Sequence, residues 1–339
     1  MLSNAKLHIP YSIALLLSTA PRKTCESLAR EMGISGDTVN KYLEQQSPDL
    51  FERIAAAIKI LKRKKLYLLL DDTLITKIYS RCIEGTSDNY SSSDRTIQRS
   101  LCSIVAMLTD GKIAIPIDQA IWSAREVDPV NYKTKVVLSQ GIIEEVKKHV
   151  DIDIVIIDGL YATVEMMQWL NDNNIKFEMR FHSNRKIRVN NQNFKIKECP
   201  FFKLNSYRTE RTIAGSWHDI KLYFTGIIRW FRNGESTIVF QVSNYKTSAQ
   251  QHKKIYGYRW NIEKFFRTAK QHLGLNDCQS RKKEKQENHI INVFIAYTVA
   301  QHERIKLKCK NTEEAIKSIK KCHIYDSDYA IDRFRAIFG

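Results

Sequence analysis

The chain predicts an α/β fold, with a helical unit ahead of the core and a β-rich segment inserted into it. Three observations carry that prediction. Two short apolar runs, residues 66–70 and 152–157, end in acids: Asp71 and Asp72 after the first, Asp158 after the second. A long amphipathic stretch over 247–274 groups Tyr256, Arg259, Glu263 and Lys270. Between these, residues 186–244 are rich in β-branched and aromatic side chains.

Residues 9–20 are apolar but too short to span a bilayer as a helix, and they contain Pro10, Ser12 and Ser18. A signal peptide would need a stronger basic start, so this run reads as the first core helix of an amino-terminal domain. Residues 24–43 then read as helix, turn at Gly33, helix. Ala29 is small where the helices approach, and Leu28, Ile34, Val39 and Leu43 supply a shared core. Ser35 or Asp37 caps the second helix. The pattern resembles a helix-turn-helix DNA reader, which would turn Thr38, Asn40 and Lys41 toward the major groove. Generic helical hairpins share it.

Residues 66–70 follow four cations at 62–65 and are too few for a helix, so they read as a strand buried on both faces. The acids then stand at its carboxyl end, where sites form in α/β sheets, although an acid pair also opens turns. Residues 100–108 and 112–121, separated by Thr109-Asp110-Gly111, read as a hairpin supplying the next two strands. Residues 132–150 read as a helix leading to the strand at 152–157. Asp151 and Asp153 lie before or inside that strand and read as boundary residues. Beyond Asp158-Gly159 comes helical periodicity over 163–171 and a strand over 175–179.

Turns at Asn190-Asn191, Ala214-Gly215 and Asn233-Gly234 divide the β-rich block, an insertion ahead of the long helix. Its Trp217 and Trp230 either stack on an extruded base or pack on the sheet. The long helix starts at Thr247 or Ser248 and ends near Gly274, with Gly257 marking close packing or a bend. Residues 286–305 read as a further helix over the core. From Asn311 onward no element is assigned. The domains expected are 1–62, 63–310 with the insertion at about 185–246, and a 311–339 tail.

At about 100° per residue, Arg259, Glu263 and Lys270 fall at roughly 300°, 340° and 320° from Tyr256, so the four share an arc of about 60°. Tyr258, Ile262, Phe265, Phe266, Ala269 and Leu273 form the adjacent apolar stripe. A carboxylate beside that seam is sheltered, rigidly held and flanked by phosphate donors. A surface helix with an Arg–Glu pair four residues apart has the same local pattern.

The spacing Tyr, two residues, Arg, three residues, Glu, six residues, Lys resembles the signature of insertion-sequence DDE transposases of the YREK group, and every position matches. The resemblance covers roughly residues 66–305. It implies a ribonuclease-H-like (retroviral-integrase-like) core whose metal ligands are Asp72, Asp158 and Glu263. Asp72 is preferred to Asp71 because Thr73 follows it directly. It also implies that Tyr256, Arg259 and Lys270 contact DNA near the scissile end, and that two Mg²⁺ (or Mn²⁺) ions act per active site. Hard cations of this kind take oxygen ligands and in pairs stabilise in-line displacement. The implied partners are double-stranded DNA, as terminal inverted repeats and target, and a second copy in a synaptic homodimer. The implied reaction frees a 3′ hydroxyl that attacks another strand, with a hairpin end in relatives. A silent DNA-binding regulator and a ribonuclease-H-like nuclease are the alternatives.

Charge agrees with a polyanionic partner: 54 Lys and Arg stand against 37 Asp and Glu, a net +17. Runs at 62–65 and 281–285 flank the candidate catalytic elements and suit phosphate. Seven scattered cysteines without a CxxC pair support neither a zinc cluster nor a disulfide framework, which points to a reducing cytoplasmic, nucleoid-associated setting away from membranes.

Overall fold

The computed structural model describes residues 10–338 apart from 46, 64, 81, 92, 93 and 326–328, and no side chains at 10 and 323–325. Ile9 of the first apolar run and Lys64 of the basic run lie outside the described residues. Four helices come first: α1 (Pro10–Leu17), α2 (Cys25–Met32), α3 (Gly36–Tyr42) and α4 (Leu50–Ile60). The core follows as β1 (Tyr67–Thr76), β2 (Ser87–Ser91), β3 (Thr96–Thr109), β4 (Ala114–Trp122), α5 (Lys135–Lys147), β5 (Ile154–Ile157), α6 (Val164–Asp172) and β6 (Phe177–Phe181). Next come β7 (Lys186–Val189), β8 (Gln192–Lys195), β9 (Glu210–Trp217), β10 (Ile220–Trp230) and β11 (Ser236–Ser243). The chain closes with α7 (Ala249–Gly257), α8 (Trp260–His272), α9 (Lys283–Lys306), α10 (Thr312–Tyr325) and α11 (Tyr329–Phe338).

Among the described residues the strands form one sheet, ordered β2-β3-β1-β5-β6-β11-β10-β9-β7-β8, with β4 also on β3. Residues 67–70 of β1 are all buried, because β3 flanks the strand antiparallel, β5 parallel, and helices cover the sheet. β1 does not stop at its acids. It runs on to Thr76 against β3, whereas β5 accompanies it only as far as Leu70. The acids therefore lie mid-strand, where the parallel neighbour ends, and the strand end expected at residue 70 is displaced to Thr76 by six further residues paired with β3.

The β-rich block extends the same sheet: β11 pairs antiparallel with β6, Phe240 opposite Phe181. The amino-terminal helices are likewise part of the common core, since α1 packs on α9 and the Tyr11 hydroxyl bonds Nδ1 of buried His289 at 2.7 Å. The long helix expected over 247–274 is two. Ser248 caps α7, and i to i+3 bonds at Tyr258, Arg259, Asn261 and Ile262 tighten the chain between α7 and α8. Nothing crowds Gly257, so its role is the bend and not close packing. The stretch after 311, unassigned from sequence, forms α10 and α11 against α9 and α4.

Candidate active site

Arg259, in the bend before α8, is the hub of the site. Its Nη1 lies 2.6 Å from Asp71 Oδ2 and 3.3 Å from Asp158 Oδ1, and its Nη2 lies 2.5 Å from Glu263 Oε1. Three elements thus deliver three carboxylates to one guanidinium. β1 presents Asp71 and α8 presents Glu263. Asp158 follows β5, where its other oxygen accepts the Leu160 N–H and starts a tight turn.

One positive charge does not offset three negative ones in this setting. Burial pushes Asp71 up to about 7; Arg259 pulls it down, and Asp158 and Asp72 push it further up. Burial works against the Arg259 charge, but Tyr256 and the three carboxylates outweigh it and raise its pKa. The Tyr256 ring lies 5.8 Å from the guanidinium, and its hydroxyl is buried without a hydrogen-bond partner among the described residues. Burial raises its pKa, with Arg259 opposing and Asp158 assisting.

Asp72, the expected first ligand, lies on the opposite face of β1, because successive strand residues alternate. There it accepts from Lys135 Nζ at 2.7 Å, the Tyr161 hydroxyl at 3.1 Å and Cys102 Sγ at 3.3 Å. Lys135 also sits 5.3 Å from the Trp122 ring. The geometry places Asp71, and not Asp72, beside Asp158 and Glu263.

A buried network that sequence reading missed holds α7 against the sheet. Glu178 of β6 accepts from the Tyr245 hydroxyl at 2.6 Å and pairs with Nδ1 of His252 in α7. Glu178 and His252 are both fully buried. A Glu between aromatic and aliphatic residues of β6 and a His 74 residues later carry no local signal of their pairing.

Beside the carboxylates a groove of about 480 Å³ is lined by Arg180, Trp230, Lys253, Tyr256, Arg259 and Glu263. Trp260 also lines it. Trp230 and Trp260 are 60 % and 56 % exposed, which is unusual for indoles without a partner. Trp217 differs: it packs edge-on to Phe181 at 5.3 Å, with the Arg185 guanidinium 4.7 Å from its ring. Lys270, two turns beyond Glu263 on α8, is half-buried; burial lowers its pKa and Asp94 opposes that.

At the amino-terminal end, α2, a left-handed turn at Gly33 (φ 67°) and α3 form the expected pair, and Ser35 is the cap, its Oγ accepting the Thr38 N–H at 3.1 Å. Yet α3 has only seven residues. Thr38 bonds Ser35 through its hydroxyl, Asn40 accepts from Ser280 Oγ at 2.7 Å, and only Lys41 of the three candidate readers is exposed.

The donor set suits a divalent cation. Its ligands are hard oxygens, Asp71 records a deficit of positive charge, and the Tyr256 hydroxyl is orphaned. Among the described residues no three His, Cys, Asp or Glu side chains are grouped as they would be around an ion. Arg259 occupies the space between them.

A family model described as the transposase DDE domain matches residues 80–299, a span that contains Asp158, Tyr256, Arg259, Glu263 and Lys270 and begins after Asp71 and Asp72. In fold the chain is similar to piggyBac transposase, solved by cryo-EM as a synaptic complex with hairpin DNA. The TM-score is 0.55 at 9 % identity, over 99 % of this chain and 72 % of that one. No curated protein matches in sequence. Among the described residues no helix is long and apolar enough to cross a membrane.

Proposed function

The chain belongs to the transposase DDE domain family, and on that premise we propose that it cuts and joins the ends of a YREK-type insertion sequence, with Asp71, Asp158 and Glu263 as the DDE triad of a ribonuclease-H-like core. The observation that carries this reading is the convergence of those three carboxylates on Arg259. Asp71 replaces Asp72 in the triad because it shares the Arg259 guanidinium with Asp158 and Glu263, whereas Asp72 faces Lys135.

Mg²⁺ or Mn²⁺, as a pair, would be held by these carboxylates and supply Lewis acidity to the attacking and leaving oxygens. The remaining work falls to the chain's own groups. Arg259 neutralises the carboxylates when no metal is bound and turns its fork to a phosphate when one is. Tyr256 offers its free hydroxyl to the same phosphate, and Arg180 and Lys270 track the strand on either side. Trp230 and Trp260 stack on bases opened at the end of the duplex. In the hydrolytic step water adds to phosphorus, the bond to the 3′ oxygen breaks and that oxygen takes the proton. The freed 3′ hydroxyl then attacks phosphorus in the opposite strand, expelling the flanking DNA's 3′ oxygen as a hydroxyl and giving a hairpin end. A second water opens the hairpin and restores the 3′ hydroxyl, which attacks target phosphorus and expels the target's 3′ oxygen. The amino-terminal helices add a contact through Lys41, with Thr38 and Asn40 behind it, and synapsis of two ends makes the working form a homodimer.

The test is incubation with Mg²⁺ or Mn²⁺ and labelled DNA carrying the terminal repeats of the chain's own element, comparing wild type with Glu263→Ala. Metal-dependent cleavage and joining, lost in the variant, is the expected result. Binding without cleavage would leave a DNA-binding regulator, and cleavage without joining a nuclease.

A further inference from the structure

Helix α8 carries a second set of charges that the proposed reaction does not use. Lys264 and Arg267 line a pocket of about 400 Å³ completed by Lys112 from the β3–β4 turn, Arg304 near the end of α9 and Lys310 from the α9–α10 connection. Glu313 is the one acid in its lining. Its carboxylate accepts from Thr268 Oγ1 at 2.6 Å, and against burial that bond and the nearby Arg267 charge hold its pKa down, so one negative charge faces five positive ones. None of the five cations forms an ion pair among the described residues; Arg304 makes only a 3.3 Å bond to Gln301 Oε1.

The convergence is built by the fold. The β3–β4 turn that bears Lys112 is seated on the bend before α8: at Gly111 (φ 88°) a Cβ would stand 2.7 Å from Tyr258 Cζ, so only glycine lets the turn approach. The back wall of the pocket is polar and buried, with Gln301 donating to the Tyr297 hydroxyl at 2.6 Å and to Thr312 Oγ1 at 3.1 Å. Like charges brought together in a concavity repel unless an anion enters, and a guanidinium fork beside several ammonium groups matches phosphate oxygens.

We propose that this pocket is a phosphate-binding site, separate from the carboxylate cluster but on the same rigid helix. Its ligand is a phosphate group, either of a DNA backbone crossing α8 or of a free phosphate-bearing anion. The DNA form of the inference rests on the transposase reading above.

The test uses the full chain and the variant Lys264→Ala/Arg267→Ala/Lys310→Ala, with folding checked by circular dichroism. The two probes are a fluorescein-labelled duplex, titrated across a salt series, and inorganic pyrophosphate, titrated calorimetrically. If DNA is the source, the variant binds duplex at least about tenfold more weakly, and the slope of log K against log salt falls by about 2–3. If a free anion is the source, pyrophosphate binding is lost and duplex binding is unchanged. Equal binding of both probes by both proteins overturns the proposal. Should the triple variant misfold, Lys112→Ala/Lys310→Ala, confined to a turn and a connection, carries the same test with a slope change of about 2. Metal-dependent cleavage by the wild type is scored separately. Cleavage without any pocket effect sinks this inference alone, whereas a pocket effect without cleavage sinks the reaction and leaves the site.

Discussion

Asp71 and Asp72 are neighbours in β1, yet they belong to two differently built faces. Asp72 is matched nearly one to one: Lys135 carries the opposing charge, and Tyr161 and Cys102 supply further donors. Burial, helped by Asp72, pushes the Cys102 thiol up to about 12, which keeps it a neutral donor. On the other face three carboxylates share one arginine, a tyrosine hydroxyl has no partner, and an acid titrates near neutrality. The first face is electrostatically closed and stabilises the fold. The second keeps unmet demand for positive charge, which is where functional groups collect.

The largest effect that would sharpen this contrast is on turnover. Asp71→Asn and Glu263→Gln are expected to reduce DNA cleavage by about 10³-fold or more, and Asp72→Asn by less than about tenfold. Equal losses at 71 and 72 in a gel assay of end cleavage would break it. In stability the order reverses. Asp72→Ala strands the Lys135 charge and the Tyr161 hydroxyl, and a loss on the order of 2 kcal/mol is expected in urea unfolding.

Asp71→Asn should act the other way at neutral pH. The folded-state pKa of Asp71 is raised from 3.8 to about 7, so the folded state resists ionisation while the unfolded state ionises readily. The penalty appears as pH rises above about 4 and is complete above about 7. The variant's melting temperature relative to wild type should therefore climb across that window; a flat difference would show that Asp71 is not the strained acid.

Arg259→Gln removes the built-in counter-charge. Mn²⁺ should then bind about tenfold more tightly by calorimetry even as duplex affinity falls, and unchanged Mn²⁺ affinity would mean the guanidinium does not occupy the ion's place. The smallest effect separates the two tryptophans of the insertion. Trp230→Ala should weaken binding of an end with unpaired bases by about 1–3 kcal/mol without lowering stability, whereas Trp217→Ala should destabilise the protein, because Trp217 is wedged between Phe181 and Arg185.

Much of the site was legible in the chain. The spacing from Tyr256 to Lys270 marked one helical arc, and the structure keeps Arg259 and Glu263 in direct contact despite the bend between α7 and α8. The apolar run before Asp158 and the hairpin around Asp110 were read as the strands they are. The choice between Asp71 and Asp72 was not legible. A strand buried on both faces is apolar throughout, so its sequence carries no alternation to say which face an acid joins. Trp230 and Trp260 could not be told from core tryptophans, because exposure depends on what packs beside them. The Glu178–His252 pair and the basic pocket each need residues far apart in the chain.

What the sequence determined by itself was local: periodicities, caps, turns and the residue types that phosphoryl transfer requires, all set by backbone sterics and hydrophobic patterning within a few residues. The tertiary structure decided which carboxylates share a charge, which cation holds them, and where uncompensated charge remains. Electrostatic energy depends on distance and burial in space, and neither quantity is written in sequence separation.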